Sequence, residues 1–123
     1  MPELPAPSPL LHVADEHHGT TLVVRVKGEV DLCTGPELEQ HLQHAFADVR
    51  PPEPLVVDLS GVAFIGSCGL TLLLRLHDTA ESKGSSLHIV AGQRAVTRPI
   101  EVVGLNDTLR LYSTVEDALA HSR

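Results

Sequence analysis

Aromatic residues are nearly absent from this sequence. Phe46, Phe64 and Tyr112 are the only three in 123 residues. The core must therefore be aliphatic, and no aromatic platform exists on which the bases of a nucleic acid would stack. Basic residues are also few, because 9 Lys and Arg stand against 16 Asp and Glu and give a formal net charge of −7. Such a chain repels a phosphate backbone, so we expect no nucleic-acid partner.

Cysteines and long apolar runs are scarce as well. Cys33 and Cys68 are too few for a disulfide framework. No apolar run approaches the ~20 residues of a membrane span, so no membrane association is expected. The first ten residues lack the basic and apolar regions of a secretory signal, and their prolines predict an extended tail over residues 1–9. We therefore expect a cytoplasmic protein with a single domain over residues 10–121, a usual domain size.

Apolar residues follow two periodicities along the chain. Alternation in Leu11–Val13 and Thr21–Val26 predicts a hairpin whose second strand ends at Gly28. Further strands are predicted at residues 55–59, 87–91 and 109–112, and helices at residues 34–50, 66–82, 95–103 and 114–120. Pro99 is expected to disturb the first turns of the third helix. Strands that alternate with helices in this way are typical of the α/β class.

Three of the predicted helices begin with a capping signal. Thr34 followed by Glu37 is a capping box, and Thr114 precedes an acidic residue at the same spacing. Ser67 occupies the predicted N-cap of the second helix, where free backbone N–H groups stabilise negative charge such as that of a phosphate. The simpler interpretation of Ser67 is a helix cap with no further function.

Signatures of enzymes and metal sites are incomplete. The segment Gly66–Gly69 lacks the lysine of a phosphate-binding loop, and Leu74 stands where a cysteine phosphatase loop starting at Cys68 would need arginine. The eight histidines form no ligand cluster of strong spacing, so we expect no metal and no cofactor. Two alternatives stay open. Cys68, in the first turn of a helix, is a candidate nucleophile. Cys33 is expected at the same end of the sheet, so the alternatives for the two cysteines are a redox pair or, more simply, two small neutral residues with no redox role.

Two segments resemble a known family. Gly28–Asp31 followed by Thr34, and the segment Val57–Leu70 (VDLSGVAFIGSCGL), are similar to the STAS domain of bacterial anti-sigma factor antagonists. Weaker similarity at residues 90–93, 103–105 and 112–119 extends the resemblance over roughly residues 10–120. It implies the STAS fold, which is a mixed four- to five-stranded sheet with helices packed mainly on one face.

The resemblance also implies a partner switch rather than an enzyme. Family members bind an anti-sigma factor serine kinase and so release a sigma factor. Phosphorylation of a serine at the start of the second helix blocks binding, and a phosphatase restores it. That serine falls on Ser67. The partner-binding residues implied by the resemblance are Asp31, Thr34, Gly66, Ser67, Cys68, Gly69, Leu70 and Thr71.

The chain departs from the family's pattern on both sides of this serine. Gly66 replaces a common acidic residue, and Cys68 replaces a small hydroxyl residue. A missing carboxylate either weakens recognition by the kinase or removes a repulsion against the incoming phosphate. The alternative to a switch is a STAS scaffold or regulatory module in a stress-signalling complex, with no phosphorylation.

Overall fold

A computed structural model of the chain describes residues 10–121, and the predicted tail over residues 1–9 lies outside them. The strands are β1 (Leu11–His18), β2 (Thr21–Val30), β3 (Leu55–Ile65), β4 (Leu87–Val90) and β5 (Arg110–Tyr112). The helices are α1 (Gly35–Phe46), α2 (Ser67–Ser82), α3 (Arg94–Val102) and α4 (Val115–Ala120), and a short 3-10 turn spans Leu105–Asp107.

The five strands form one mixed sheet in the order β1-β2-β3-β4-β5. The hairpin pair β1 and β2 is antiparallel, whereas the other neighbours are parallel and joined by helical crossovers. The predicted mixed sheet is therefore confirmed. Because the parallel strands share one direction, the starts of α1 and α2 lie at the same edge of the sheet, where β2 and β3 end.

The helices divide unequally between the two faces of the sheet. Helices α1, α2 and α3 cover one face with an almost entirely aliphatic core. This core includes Leu38, Leu42, Leu73, Leu76, Val96 and Ile100 of the helices and Val24, Val57 and Ile89 of the strands. Helix α4 covers the opposite face, where Val115 and Ala118 pack on Val23, Val56 and Val90. The expectation that helices lie mainly on one face is confirmed.

Strands β2 and β3 both run further than the sequence pattern predicts. Gly28 does not end β2, because its φ of 112° accommodates a bulge and the strand continues to Val30. A side chain at Gly28 would collide with the carbonyl oxygen of Leu10. β3 was predicted to stop at residue 59, but pairing with the extended end of β2 carries it to Ile65.

Two expectations about the helices, the end of α1 and the effect of Pro99 on α3, differ from the structure. Helix α1 ends at Phe46, well before the prolines at 51 and 52. Asp48 N donates to Ala45 O at 3.0 Å, and this i to i−3 bond tightens the chain into turns. Pro99 lies inside α3 without breaking it. The carbonyl that Pro99 leaves without a donor belongs to Ala95, which is exposed to water. The predicted end of α2 at Ser82 is confirmed.

Candidate functional site

The start of α2 and the turn between β2 and α1 lie side by side at one edge of the sheet. Gly66 N donates to Val30 O at 2.8 Å, which ties the residue before α2 to the last residue of β2. Asp31 therefore stands beside Ser67, although 36 positions separate them along the chain.

Ser67 is the first residue of α2, and the predicted N-cap role for it is wrong. The N-cap is Gly66, with φ −89° and ψ 179°, and no side chain caps the helix. Gly69 N and Leu70 N both donate to Gly66 O, at 3.0 and 3.1 Å. The Ser67 side chain is exposed. Its hydroxyl is thus presented to solvent at a helix N-terminus, where unpaired N–H groups and the helix dipole favour negative charge.

Gly66 and Gly69, which flank Ser67, differ in how strictly their positions require glycine. A Cβ on Gly69 would lie 2.6 Å from Ile65 Cγ1 and 2.8 Å from Val30 Cγ1, so only glycine lets α2 pack this closely on β2 and β3. A Cβ on Gly66 would make ordinary contacts with the Phe64 ring, at 3.5 Å, and with Val30 O, at 3.7 Å, and the φ of Gly66 is negative. The backbone therefore does not demand glycine at position 66.

The turn before α1 is held by side chains, although not by the predicted capping box. Thr34 is fully buried, and its Oγ1 donates to Glu29 O at 2.7 Å and accepts from Asp31 N at 2.9 Å. The carboxylate of Asp31 accepts from Thr34 N at 3.0 Å and Cys33 N at 2.8 Å. These backbone N–H groups lower the pKa of Asp31. Glu37 makes no reciprocal bond, so the capping-box prediction is wrong and Asp31 fixes the turn instead.

Two shallow depressions adjoin Ser67. The first, which we call the Leu32–Phe64 depression, is lined by Asp31, Leu32, Cys33, Phe64, Gly66, Ser67 and Cys68. The second, the Thr71–Val103 depression, is lined by Ser67, Leu70, Thr71, Leu74, Val103 and Leu105. Neither lining contains a lysine, arginine or histidine. Ser67 therefore lies between two mostly apolar depressions, and the described residues that line them include no cation.

The predicted partner-binding residues fall into an exposed set and a supporting set. Ser67 and Thr71 are exposed, and Thr71 Oγ1 donates back to Ser67 O at 3.1 Å. Thr34 is buried, so it positions the turn and offers no surface to a partner. The other supporting residues are Gly69 and Leu70, which are also buried, whereas the partly exposed residues are Asp31, Gly66 and Cys68.

Sequence reasoning missed the exposed apolar residues of this surface. Leu32 is 81% exposed and Phe64 is 50% exposed, although apolar residues in or beside a strand are ordinarily assigned to the core. Val103 is 55% exposed at the end of α3. Exposed apolar patches, especially those rimmed by polar residues, are typical of protein interaction surfaces.

Signs of other kinds of site are missing from the part of the chain that the structure describes. Within residues 10–121, no three His, Cys, Asp or Glu side chains are grouped so as to hold a metal ion. Among the same residues, no helix has the length and apolar character to cross a membrane. Cys33 and Cys68 are both free thiols.

Comparisons with known proteins agree with this fold. Residues 12–118 match the STAS domain family. The chain is 39% identical over 120 residues to the anti-sigma-F factor antagonist RsfB of Mycobacterium tuberculosis, which covers 96% of this chain and 93% of that protein. A crystal structure of an anti-sigma factor antagonist from Mycobacterium paratuberculosis superposes with a TM-score of 0.84 at 38% identity, covering 96% and 99% of the two chains.

A more distant structure shares the fold. The anti-sigma factor antagonist SpoIIAA in its unphosphorylated form matches with a TM-score of 0.67 at 19% identity, over 88% of this chain and 93% of that one. The chain therefore belongs to the STAS domain family, and within it to the anti-sigma factor antagonists.

Proposed function

We propose that this protein binds an anti-sigma factor through the surface around Ser67 and thereby releases a sigma factor. In this proposal the anti-sigma factor is also a serine kinase, and its transfer of phosphate to Ser67 ends the binding. A phosphatase that acts on phospho-Ser67 restores the active form. The role is one of binding and not of catalysis, and it is exercised in the cytoplasm, where sigma factors act.

The observation that carries the proposal is the position of Ser67. Its side chain is exposed at the N-terminus of α2, between the Leu32–Phe64 and Thr71–Val103 depressions. A kinase can reach this hydroxyl without unfolding the helix. A partner seated on either depression would also cover it, so modification and binding compete for the same surface.

The electrostatics of the surface support an off-switch. A phosphate adds about −1.5 to −2 charge at neutral pH. In the free protein the N–H groups at the start of α2 and the solvent stabilise this charge. Neither depression supplies a cation to neutralise it, and the chain already has a net charge of −7. Covering the phosphate with a partner therefore buries an unpaired charge, which costs about 2–5 kcal/mol.

The phosphorylation site is tested by incubating the protein with the cognate anti-sigma factor kinase and ATP, and mapping the phosphate by mass spectrometry. We expect phosphate on Ser67 and no labelling of Ser67→Ala. Thr71→Ala is a matched control because Thr71 is exposed one turn further along α2. Normal labelling of Ser67→Ala, with phosphate on Ser60 or Thr71, contradicts the assignment.

A second candidate function is favoured by the replacement of the family's acidic residue with Gly66. A STAS scaffold in a stress-signalling complex would bind its partner without being phosphorylated. The same experiment separates the two functions. Stable binding with no phosphate transfer, at kinase concentrations that label a related antagonist, would support the scaffold.

A further inference from the structure

We propose that a polar cavity at the edge of the sheet opposite to Ser67 binds the phosphate group of a small ligand. The cavity has a volume of about 340 Å³, at the lower end of the range usual for ligand sites in proteins. Binding there requires neither Ser67 nor an anti-sigma factor, so the site goes beyond the proposed function. The polar residues that line it include Ser85, Ser86, His88, Arg110, Tyr112 and His121.

The sheet brings these residues together from neighbouring elements. Ser85 and Ser86 immediately precede β4, and Arg110 is the first residue of β5. The two strands are parallel, with His88 opposite Arg110 in the register. His121 directly follows α4, on the face of the sheet that α4 covers. The cavity therefore lies where the parallel strands begin, away from the strand ends that carry the start of α2.

A nearly buried hydroxyl without a partner opens onto this cavity. Ser85 is only 9% exposed, and its side chain makes no hydrogen bond to any residue in the range 10–121. Over the same range, the unpartnered side-chain atom that is shut off from solvent is His77 Nδ1. The Ser85 hydroxyl must therefore reach solvent, and it does so at the cavity that Ser85 lines. A bound molecule could accept a hydrogen bond from it.

Arg110 supplies the positive charge of the site. Its Nη1 donates to Glu81 Oε2 at 2.7 Å, and Glu81 is the only carboxylate among the described residues of the lining. This ion pair orients the guanidinium and leaves Nε and Nη2 with no partner in the part of the chain that the structure describes. The remaining N–H groups of an arginine match the oxygens of a phosphate, which it frequently binds through two parallel hydrogen bonds.

Tyr112 adds a second hydroxyl, on a ring that its neighbours hold in place. The centroid of its ring lies 5.0 Å from that of His88 and 5.2 Å from that of His121. His88 is itself fixed, because Nδ1 donates to Ala118 O and Nε2 accepts from Ser86 Oγ, each at 3.2 Å. The Tyr112 hydroxyl has no hydrogen-bond partner among residues 10–121. It is therefore a further free donor beside Arg110.

The excess of donors over acceptors favours an anion. The lining carboxylate of Glu81 is already paired, whereas Arg110, Ser85 and Tyr112 all have donors to spare. A phosphate group has enough strong acceptor oxygens to engage all three side chains at once. A carboxylate has fewer oxygens and would leave part of this donor set unused.

Binding is tested on the full chain, without any partner and in a buffer free of phosphate. Inorganic phosphate, glycerol 3-phosphate and glycerol are titrated in turn while the backbone amide NMR signals of isotope-labelled protein are followed. We expect saturable shifts centred on residues 84–88 and 110–112 with both phosphate compounds and none with glycerol. Equal affinities identify free phosphate as sufficient, and tighter binding of the ester identifies a phosphorylated molecule. No saturable shift at millimolar phosphate, or shifts elsewhere on the protein only, overturns the proposal.

Two arginine variants form a matched pair. Arg110→Gln should weaken phosphate binding about tenfold or more, because charge-assisted hydrogen bonds are lost. Arg75→Gln should bind as wild type does, because Arg75 makes a comparable exposed ion pair with Glu39 but lies outside the cavity. Tyr112→Phe keeps the ring and removes only the hydroxyl, so it should also bind more weakly. Equal weakening by Arg110→Gln and Arg75→Gln indicates unspecific attraction of an anion and overturns the proposal.

Glu81→Gln separates a ligand contact from damage to the fold. The substitution removes the carboxylate from the cavity and frees the guanidinium of Arg110, so phosphate should bind several-fold more tightly than to wild type. Disruption of the cavity would lower the affinity instead. Unchanged or weaker binding by Glu81→Gln contradicts the assigned role of Arg110. Since no anti-sigma factor takes part in these measurements, they decide the proposal whether or not the proposed function holds.

Discussion

Replacing Ser67 with aspartate separates the effect of charge on folding from its effect on binding. Ser67 is exposed at the first position of α2. The helix has neither an acidic residue in its first turn nor a side-chain cap. A carboxylate at this position interacts favourably with the helix dipole, by ~0.3–1 kcal/mol. We therefore expect Ser67→Asp to unfold at the same temperature as wild type or slightly above it.

The same substitution should strongly weaken partner binding. The two depressions beside Ser67 offer no cation, so a docked partner would bury the new carboxylate without a counter-charge. A cost of about 2–5 kcal/mol corresponds to a loss of about 30-fold or more in affinity. Titration calorimetry with the anti-sigma factor measures this loss, and thermal unfolding measures stability.

A neutral variant of the same shape supplies the control. Ser67→Asn has nearly the size of Ser67→Asp without its charge, so it should keep most of the affinity. If Ser67→Asn weakens binding as much as Ser67→Asp, size and not charge is responsible. A large drop in unfolding temperature with unchanged affinity in Ser67→Asp would refute the reasoning altogether.

Three further predictions concern Gly66 and Gly69, which flank Ser67, and the buried His88. Gly66→Asp should change the rate of Ser67 phosphorylation. The free energy of unfolding should stay within ~1 kcal/mol of wild type, because the φ of −89° at position 66 suits any residue. Identical phosphorylation time courses for variant and wild type would show that the absence of an acidic residue at position 66 has no effect. Gly69→Ala should lower the free energy of unfolding in denaturant by ~1–3 kcal/mol, since its Cβ would stand 2.6 Å from Ile65 Cγ1; unchanged stability would show that α2 moves away freely. Burial lowers the pKa of His88 from its ordinary 6.5, although donation from Nδ1 to Ala118 O opposes this. The unfolded state therefore binds more protons below pH 6.5, and stability should be full above that pH and fall as the pH drops below it. His88→Gln should flatten this dependence between about pH 7 and 5, and an unaltered slope would assign it to other groups.

Local patterns were sufficient to predict the order of the elements and some of their ends. The predicted cap of the last helix is present, because Thr114 Oγ1 accepts from Asp117 N at 3.0 Å. Such a bond depends on residues close together in the chain, and the sequence displays them directly. The extension of β3 to Ile65 depends instead on pairing with β2, which lies more than 30 positions earlier. No local pattern reports that pairing.

The candidate site likewise combines features that neighbouring residues determine with features that depend on tertiary contacts. Ser67 was placed at the start of α2 by its glycine neighbours and by resemblance to a family, but its exact helical position depended on Gly66 becoming the N-cap. The closeness of Asp31 to Ser67 follows from the bond between Gly66 and Val30, a tertiary contact. The exposure of Leu32 and Phe64 was not predictable, because hydrophobic periodicity alone does not distinguish a core residue from one at an interaction surface.

Release of a sigma factor tests the central claim most directly. The protein is prepared in an unphosphorylated form and in a form phosphorylated on Ser67, and each is titrated into a preformed complex of the anti-sigma factor with its sigma factor. We predict that the unphosphorylated form displaces the sigma factor and that the phosphorylated form does not. Equal displacement by both forms, or displacement by neither, would contradict the account.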